Sequence, residues 1–217
     1  MVKIVHKASG KVLLKAKNDS IRGCALQGHD LSGADFSGQD LSGCKFIGCN
    51  LCDSDFSGAN LSLCQMVNSV MRRANFSGAN LTDASLCDNV LDGSKFIEAT
   101  ALRIKLRHSK VNESNFSKCN LTEADFFFAE LRSNFSNAIL YSANFVGTDL
   151  TQANFTNADL RKSVMTDAKI RRAIFANARM DGCVGTNGQT WGNTFKPKKA
   201  EKKSWWKVFN SASSKSS

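Results

Sequence analysis

Large apolar side chains recur at every fifth position along most of this 217-residue chain. The register starts at Ile21 and runs unbroken to Leu131, then resumes at Phe135 and continues to Met180. Two residues before each such centre the side chain is usually Ala, Ser or Cys, and the positions between are mostly polar. Because residues two apart on an extended backbone point to the same side, the pattern predicts that the small residue and the centre both face inward.

A period of five matches neither a helix, with 3.6 residues per turn, nor a simple strand, with a period of two. Each unit is therefore predicted to be a short extended piece followed by a corner. Most of the 15 glycines lie two residues after a centre, where a tight turn requires unusual backbone angles. The predicted structural core includes Phe36, Phe46, Phe56, Phe76, Leu81, Phe116, Leu121, Phe145, Leu150 and Phe155.

The repeated units include "ADFSG", "ANLSL", "ANFSG", "ANFVG" and "ADLRK". They resemble the repeat of the pentapeptide-repeat proteins, A-(D/N)-(L/F)-x-x, from Ile21 to about Cys183. The resemblance implies an all-β fold, a right-handed quadrilateral parallel β-helix (a solenoid) of about eight coils with four repeats to a coil. Stacked units of this kind stabilise their neighbours, and the two ends of the stack need covers.

Three segments are predicted. Residues 1–20 hold two apolar runs around Ser9 and Gly10 and are predicted to form an N-terminal β-hairpin cap. Residues 21–183 form the β-helix, and residues 184–217 form a C-terminal cap and a basic, Trp-containing, partly disordered tail. The four-residue step at 131–135 is predicted to shorten or distort one corner, with a loop or a kink. Ala101 at a centre and Ile104 at the next small position suggest an exchange of volumes that preserves the core.

Catalytic chemistry is poorly supplied, and we expect no enzyme activity and no cofactor. His6, His29 and His108 are isolated in sequence, and His29 occupies an inward position. The "CNLC" motif resembles a metal or redox site, but the register places Cys49 inward and Cys52 outward. We therefore expect no metal site. Six cysteines occupy inward positions as small apolar residues, so only Cys52 and Cys87 are expected to be reactive.

Thiols used in place of alanine favour a reducing compartment, and the sequence contains no signal peptide or membrane-spanning apolar run. The interpretation is a cytoplasmic protein, with a peripheral position at the inner face of the membrane as an option offered by its tail.

The net charge of +10 lies at the two ends of the chain. Residues 1–20 contribute +4 (five Lys, one Asp), residues 21–195 contribute zero (17 basic, 17 acidic) and residues 196–217 contribute +6 (seven Lys, one Glu). Some pentapeptide-repeat proteins imitate the negative charge of duplex DNA and bind DNA gyrase, which protects it from quinolones. A mimic of a polyanion is expected to be negative along its length, so this reading remains an alternative. Direct nucleic-acid binding is not expected.

The tail combines a basic run with an aromatic cluster. Its candidate contact residues for a partner or a membrane are Lys198, Lys199, Lys202, Lys203, Trp205, Trp206 and Phe209. Basic residues beside aromatic rings suit an anionic membrane surface. Two other interpretations stay open: a cap over the last coil, or a contact between the C-terminal ends of a homodimer.

The function predicted from the sequence is that of a non-enzymatic scaffold for protein–protein interaction, a rigid rod that presents ladders of side chains to a partner. The partner is probably another protein whose identity the sequence does not reveal. The alternatives are the topoisomerase-binding DNA mimic and a peripheral membrane protein tethered by its tail.

Overall fold

The computed structural model describes residues 2–15 and 20–191. This part of the chain contains short strands and no helix. The strands are β1 (Lys3–Val5), β2 (Val12–Lys15), β3 (Ala25–Gln27), β4 (Lys45–Ile47), β5 (Gln65–Val67), β6 (Cys183–Val184) and β7 (Thr190–Trp191). Strands β1 and β2 pair antiparallel, β3, β4 and β5 form a parallel sheet, and β6 and β7 pair antiparallel.

Parallel pairing between residues 20 apart organises the body of the molecule. Asp30 pairs with Asn50, Asn50 with Val70, and Val70 with Val90, and similar bridges continue as far as Val184. Since the repeat has five residues, each coil holds four repeats and therefore four faces. We name them by the centre that each contributes to one coil: face 1 (Leu81), face 2 (Leu86), face 3 (Leu91) and face 4 (Phe96).

Each corner is a turn closed by a hydrogen bond from the N–H three residues after the centre to the carbonyl of the centre, as from Ala34 to Leu31 at 3.0 Å. The second residue after the centre has a positive φ, as a type II turn requires. This residue is often glycine, but 21 non-glycine residues also adopt a φ of 53–64°. Glycine is therefore favoured at the corner but is not required there.

The Asn or Asp that precedes many centres has two structural tasks. The Asp35 carboxylate accepts a hydrogen bond from the backbone N–H of Ser37 at 3.0 Å, which closes a local Asx-type turn. The Asn75 amide donates to the Asp55 carboxylate one coil away at 3.1 Å. One side chain thus fixes the corner and also links two coils, which explains the residue preference at this position.

Apolar centres from the four faces fill the interior. On face 4, Phe36, Phe56, Phe76, Phe96 and Phe116 stack with ring centroids 4.5–4.9 Å apart. All ten residues predicted for the core are fully buried. Ala101 and Ile104, the proposed volume exchange, are buried as well.

The shortened corner at 131–135 is absorbed without a loop. Asn115 pairs with Asn134, 19 residues on, and the ladder then continues at 20-residue spacing from Asn134 to Asn154. The Ser133 N–H donates to the Leu131 carbonyl at 2.8 Å, and its buried hydroxyl donates to the Val111 carbonyl one coil back. Ser133 therefore faces the interior, whereas the equivalent left-handed residue of other corners faces solvent.

Hairpins lie at both ends of the described solenoid. The N-terminal hairpin places Ile4 in the core, and its Val5 carbonyl accepts the Asp35 N–H at 2.8 Å. At the other end, β7 brings the Trp191 indole against Gly185, where an added Cβ would lie 2.1 Å from the ring. Each hairpin thus contacts the coil next to it.

Candidate interaction surface

The four faces of the solenoid present different chemistry. Face 4 carries hydroxyl side chains one residue after most centres, at Ser57, Ser77 and Ser117, next to Asn and Asp side chains. Faces 1 and 3 carry charged residues, whereas face 2 carries apolar residues. These differences arise because the fold requires only the centre, the small residue and the corner, which leaves the outer positions free to vary.

Ion pairs between successive coils neutralise many of the charges on faces 1 and 3. Arg73 donates two hydrogen bonds, of 2.8 and 2.6 Å, to the Asp53 carboxylate. Arg103 makes the same double contact with Asp83. The Arg73 hydrogen bonds hold the pKa of Asp53 below its ordinary value. Opposite charges therefore alternate along these columns, and the acidic residues in them do not form a continuous stripe.

A basic cluster lies toward the C-terminal end of face 3. Lys169, Arg171 and Arg172 make no ion pair with any residue that the structure describes. On face 1, Asp159 contacts both Arg161 at 2.6 Å and Arg179 at 3.6 Å. The gradient from early acidic to late basic residues is thus present on the surface.

The most distinctive feature of face 2 is an aromatic patch formed by His108, Phe127, Phe128 and Val146. The ring centroids of Phe127 and Phe128 lie 4.5 Å apart, and those of His108 and Phe128 lie 6.1 Å apart at an angle of 23°. Phe128 is 55% exposed although it is a large apolar residue. It also has a φ of 54°, which a bulky side chain rarely adopts.

Backbone contacts hold the aromatic patch in place. The His108 N–H donates to the Phe127 carbonyl, and the Phe128 N–H donates to the Val146 carbonyl, both at 3.0 Å. The Phe128 ring lies over Gly147, where an added Cβ would be 2.9 Å from its tip. The patch therefore spans three coils and rests on hydrogen-bonded backbone.

Apolar residues continue along the same column of face 2 toward the N-terminal end. Ile47, Val67 and Cys87 are half-buried and occupy the position equivalent to Phe127. Arg107 interrupts the column, and its guanidinium turns aside to the Asp125 carboxylate. Face 2 thus offers two apolar segments separated by one ion pair.

A polar cavity of about 450 Å³ lies on face 3 beside the shortened corner. It is lined by Asp92, Asn112, Glu113, Arg132 and Gln152. Arg132 is held by the Asp149 carboxylate at 2.8 Å. Because Ser133 faces inward, the cavity lies where another coil would present an outward side chain between Glu113 and Gln152.

Two expectations for inward residues are wrong at the first coil. His29 is exposed, and Cys24 is only partly buried. The described residues contain no coil beneath this one, so the inward positions lack the cover that later coils receive. The expectation that only Cys52 and Cys87 are accessible therefore fails, since Cys24 shares their intermediate burial.

Other sequence-based expectations concern groups that lie apart or outside the described residues. His6 lies in the N-terminal hairpin, and His108 belongs to the aromatic patch. Among residues 2–15 and 20–191, no group of three His, Cys, Asp or Glu side chains could hold a metal ion. No helix in that part could cross a membrane. The predicted contacts Lys198, Lys199, Lys202, Lys203, Trp205, Trp206 and Phe209 lie outside it.

Family models match most of the solenoid. A model of the pentapeptide repeat region matches residues 39–116, and a model of eight pentapeptide repeats matches residues 103–133, 131–157 and 150–184. The chain belongs to the pentapeptide repeat family. The family assignment confirms the resemblance seen in the repeated units. No curated protein matches this pentapeptide repeat protein.

Solved structures of other pentapeptide repeat proteins are similar to this one. HetL, involved in heterocyst differentiation regulation in the cyanobacterium Nostoc sp. strain PCC 7120, is 23% identical, with 81% of this chain and 95% of that chain covered and a TM-score of 0.39. A trypsin-treated variant of QnrB1, a plasmid-mediated fluoroquinolone resistance protein, is 25% identical, with 71% and 83% covered and a TM-score of 0.44. No function for this chain follows from scores of this size.

Proposed function

We propose that this pentapeptide repeat protein is a non-enzymatic scaffold that binds a protein partner through face 2. The observation that carries the proposal is the aromatic patch, in which Phe128 exposes more than half of its surface beside Phe127 and His108. Large exposed apolar patches on soluble proteins mark interaction sites. Aromatic side chains are enriched at the centre of protein interfaces and contribute much of their binding energy.

The rigidity of the solenoid supports this role. The backbone N–H groups of His108 and Phe128 are already hydrogen-bonded to the next coil. A partner therefore meets aromatic rings on an ordered backbone, so little further conformational entropy is lost on binding. The second apolar segment, Ile47 to Cys87, extends the contact along the same face.

The DNA-mimic alternative gains less support from the surface. Such a mimic requires a continuous acidic stripe to imitate a phosphate backbone. Here Asp53 and Asp83 are each paired with an Arg one coil on, and residues 21–195 have no net charge. The alternation of charges favours contacts with a partner of ordinary protein composition.

Several finer features remain proposals. The family resemblance supports a right-handed solenoid of about eight coils with hairpin caps, bounded as predicted at residues 21 and 183. A cytoplasmic location is supported by the five buried free cysteines in the described residues. Membrane tethering or dimer contact by the tail rests on its sequence alone. A protein ending at Phe195 tests both tail proposals through vesicle binding and sedimentation equilibrium.

The scaffold proposal is tested by quantitative capture from lysate of the cells that produce the protein. The variant carries Phe127→Ser and Phe128→Ser, and Leu63→Ser is the matched control because Leu63 is 64% exposed on face 1. We expect the double variant to lose a specific protein that the wild type and the control retain. Equal capture of that protein by all three would refute the assignment to face 2.

A further inference from the structure

Two cysteines at the first coil are placed to react with each other. Cys24 and Cys44 occupy equivalent inward positions in adjacent coils, and their Sγ atoms lie 3.1 Å apart. Their backbones are tied by a hydrogen bond of 2.7 Å from the Lys45 N–H to the Cys24 carbonyl. Neighbouring strands lie about 4.8 Å apart, which is within the Cα separation that a disulfide spans.

Access distinguishes Cys24 from the other inward cysteines. Cys44, Cys49, Cys64, Cys119 and Cys183 are buried, whereas Cys24 is partly exposed. A small oxidant can therefore reach Cys24 from solvent, and Cys44 lies directly behind it. Cys64, in the next coil of the same column, is buried and has its Sγ 2.9 Å from the Leu41 carbonyl.

The local hydrogen bonds assign different roles to the two thiols. The contact with Cys44 lowers the pKa of Cys24, and the same contact, together with burial, raises the pKa of Cys44. Burial raises the pKa of Cys64 to about 12. Cys24 is thus the thiol that ionises first, and the proton of Cys44 can be donated to its sulfur. Thiolates, not thiols, attack oxidants.

We propose that Cys24 and Cys44 form a peroxide-oxidisable pair that covalently links the first two coils. The Cys24 thiolate attacks a peroxide oxygen, an S–O bond forms, and the O–O bond breaks to release an alkoxide or hydroxide that takes up a proton. Cys44 sulfur then attacks the sulfenic sulfur of Cys24, an S–S bond forms, and the oxygen leaves as water with the Cys44 proton. The two thiols lose two electrons, and the peroxide is reduced.

The consequence is a reversible change at the N-terminal end of the solenoid. The disulfide would close a loop that contains a complete coil, and a crosslink of this kind restricts the unfolded chain. Thiol reductants would reopen it by exchange at Cys24, the exposed sulfur. The oxidised pair would leave face 2 unchanged, so this inference is independent of the proposed partner-binding role.

The test treats the full-length protein with increasing hydrogen peroxide, alkylates the remaining thiols at acidic pH and maps the peptides by mass spectrometry. Trypsin releases Cys24 and Cys44 together in residues 23–45, which contain no other cysteine. We expect this peptide to become two hydrogen masses lighter while Cys52 and Cys87, the accessible control thiols, still accept the alkylating reagent. Oxidation of Cys52 or Cys87 before this pair, or pairing of Cys24 with any other cysteine, would overturn the proposal.

Variants separate the two steps. In Cys44→Ala, we expect Cys24 to stop at the sulfenic acid and to be trapped by a dimedone reagent, whereas Cys64→Ala should form the disulfide as the wild type does. Each variant is checked for folding by its resistance to urea. A folded Cys44→Ala variant that yields no trapped sulfenic acid at Cys24, or a Cys64→Ala variant that loses the disulfide, would contradict the assigned roles.

Discussion

The Phe128 ring lies over Gly147 of the following coil, close enough that an added Cβ at residue 147 would lie 2.9 Å from the ring tip. Gly147 therefore has two functions: its positive φ of 67° makes the corner, and its missing side chain leaves room for an exposed aromatic ring. The aromatic patch depends on a residue that contributes no apolar surface of its own.

Replacement of Gly147 by Ala should displace the Phe128 ring. Gly78→Ala is the matched control, because Gly78 has the same φ of 67° and nothing within 4 Å of an added Cβ. Each variant should lose about 1 kcal/mol of stability from the strained backbone. Only Gly147→Ala should shift the NMR signals of the His108 ring, which stacks on Phe128. Unchanged His108 signals would contradict the packing described here.

Removal of one ring from the Phe stack should be costly. Phe96 is fully buried between Phe76 and Phe116, so Phe96→Ala should lower the free energy of unfolding by about 3–5 kcal/mol. Phe128→Ala removes the same atoms from an exposed site and should cost under about 1 kcal/mol. Urea unfolding compares the two, and equal losses would show that face 4 is not packed as described.

The buried pair Ala101 and Ile104 should behave as an exchange of volumes. Ala101→Leu overfills the core and should cost about 1–3 kcal/mol, and Ile104→Ala leaves a cavity and should cost about 2–5 kcal/mol. The double variant restores the usual order of a large centre and a small neighbour, so its loss should be smaller than the sum. Strict additivity in a double-mutant cycle would show that the two sites do not share space.

Leu63 tests the cost of a bulky residue in the left-handed corner. It has a φ of 59° and is 64% exposed, so its side chain adds little packing. Leu63→Gly should be more stable than Leu63→Ala by about 1 kcal/mol, because only the alanine variant keeps the steric strain. Thermal unfolding of the two variants measures the difference. An alanine variant that is equally stable would mean that this corner is not left-handed.

Acid should weaken the ion-pair cluster around Asp159. Hydrogen bonds from Arg161 hold the pKa of Asp159 below its ordinary value, so its contribution is present above the unfolded pKa of about 3.9. That contribution is lost as the pH falls through the lower folded pKa. Asp159→Asn should therefore flatten the acid branch of the stability profile by less than about 1 kcal/mol. An unchanged profile would argue against the pair.

The five-residue register identified the interior of this protein because every coil buries the same positions. Phe36 to Phe155 could be assigned to the core without knowing which coils are neighbours. His29 and Cys24 could not be placed correctly, because their burial depends on whether another coil covers them. A signal was nevertheless present for the thiol pair, since Cys24 and Cys44 are 20 residues apart in the same register.

The aromatic patch was harder to predict, although "ADFFF" departs visibly from the usual repeat. Its neighbours His108 and Val146 lie 20 and 19 residues from the positions they contact. They can be joined to Phe128 and Phe127 only when the coil length and the shortened corner are both known. The inward turn of Ser133 likewise required the structure, because the sequence shows a missing residue but not which side chain replaces it.

Site-specific photo-cross-linking tests the central claim most directly. A photoreactive amino acid replaces Val146 at the edge of the aromatic patch in one protein, and Ser136 on face 4 in the other, and both are illuminated in lysate of the producing cells. We predict that the probe at residue 146 cross-links one protein partner in high yield and that the probe at residue 136 does not. Cross-linking of that partner from residue 136 alone, or from neither position, would contradict the assignment of face 2 as the binding surface.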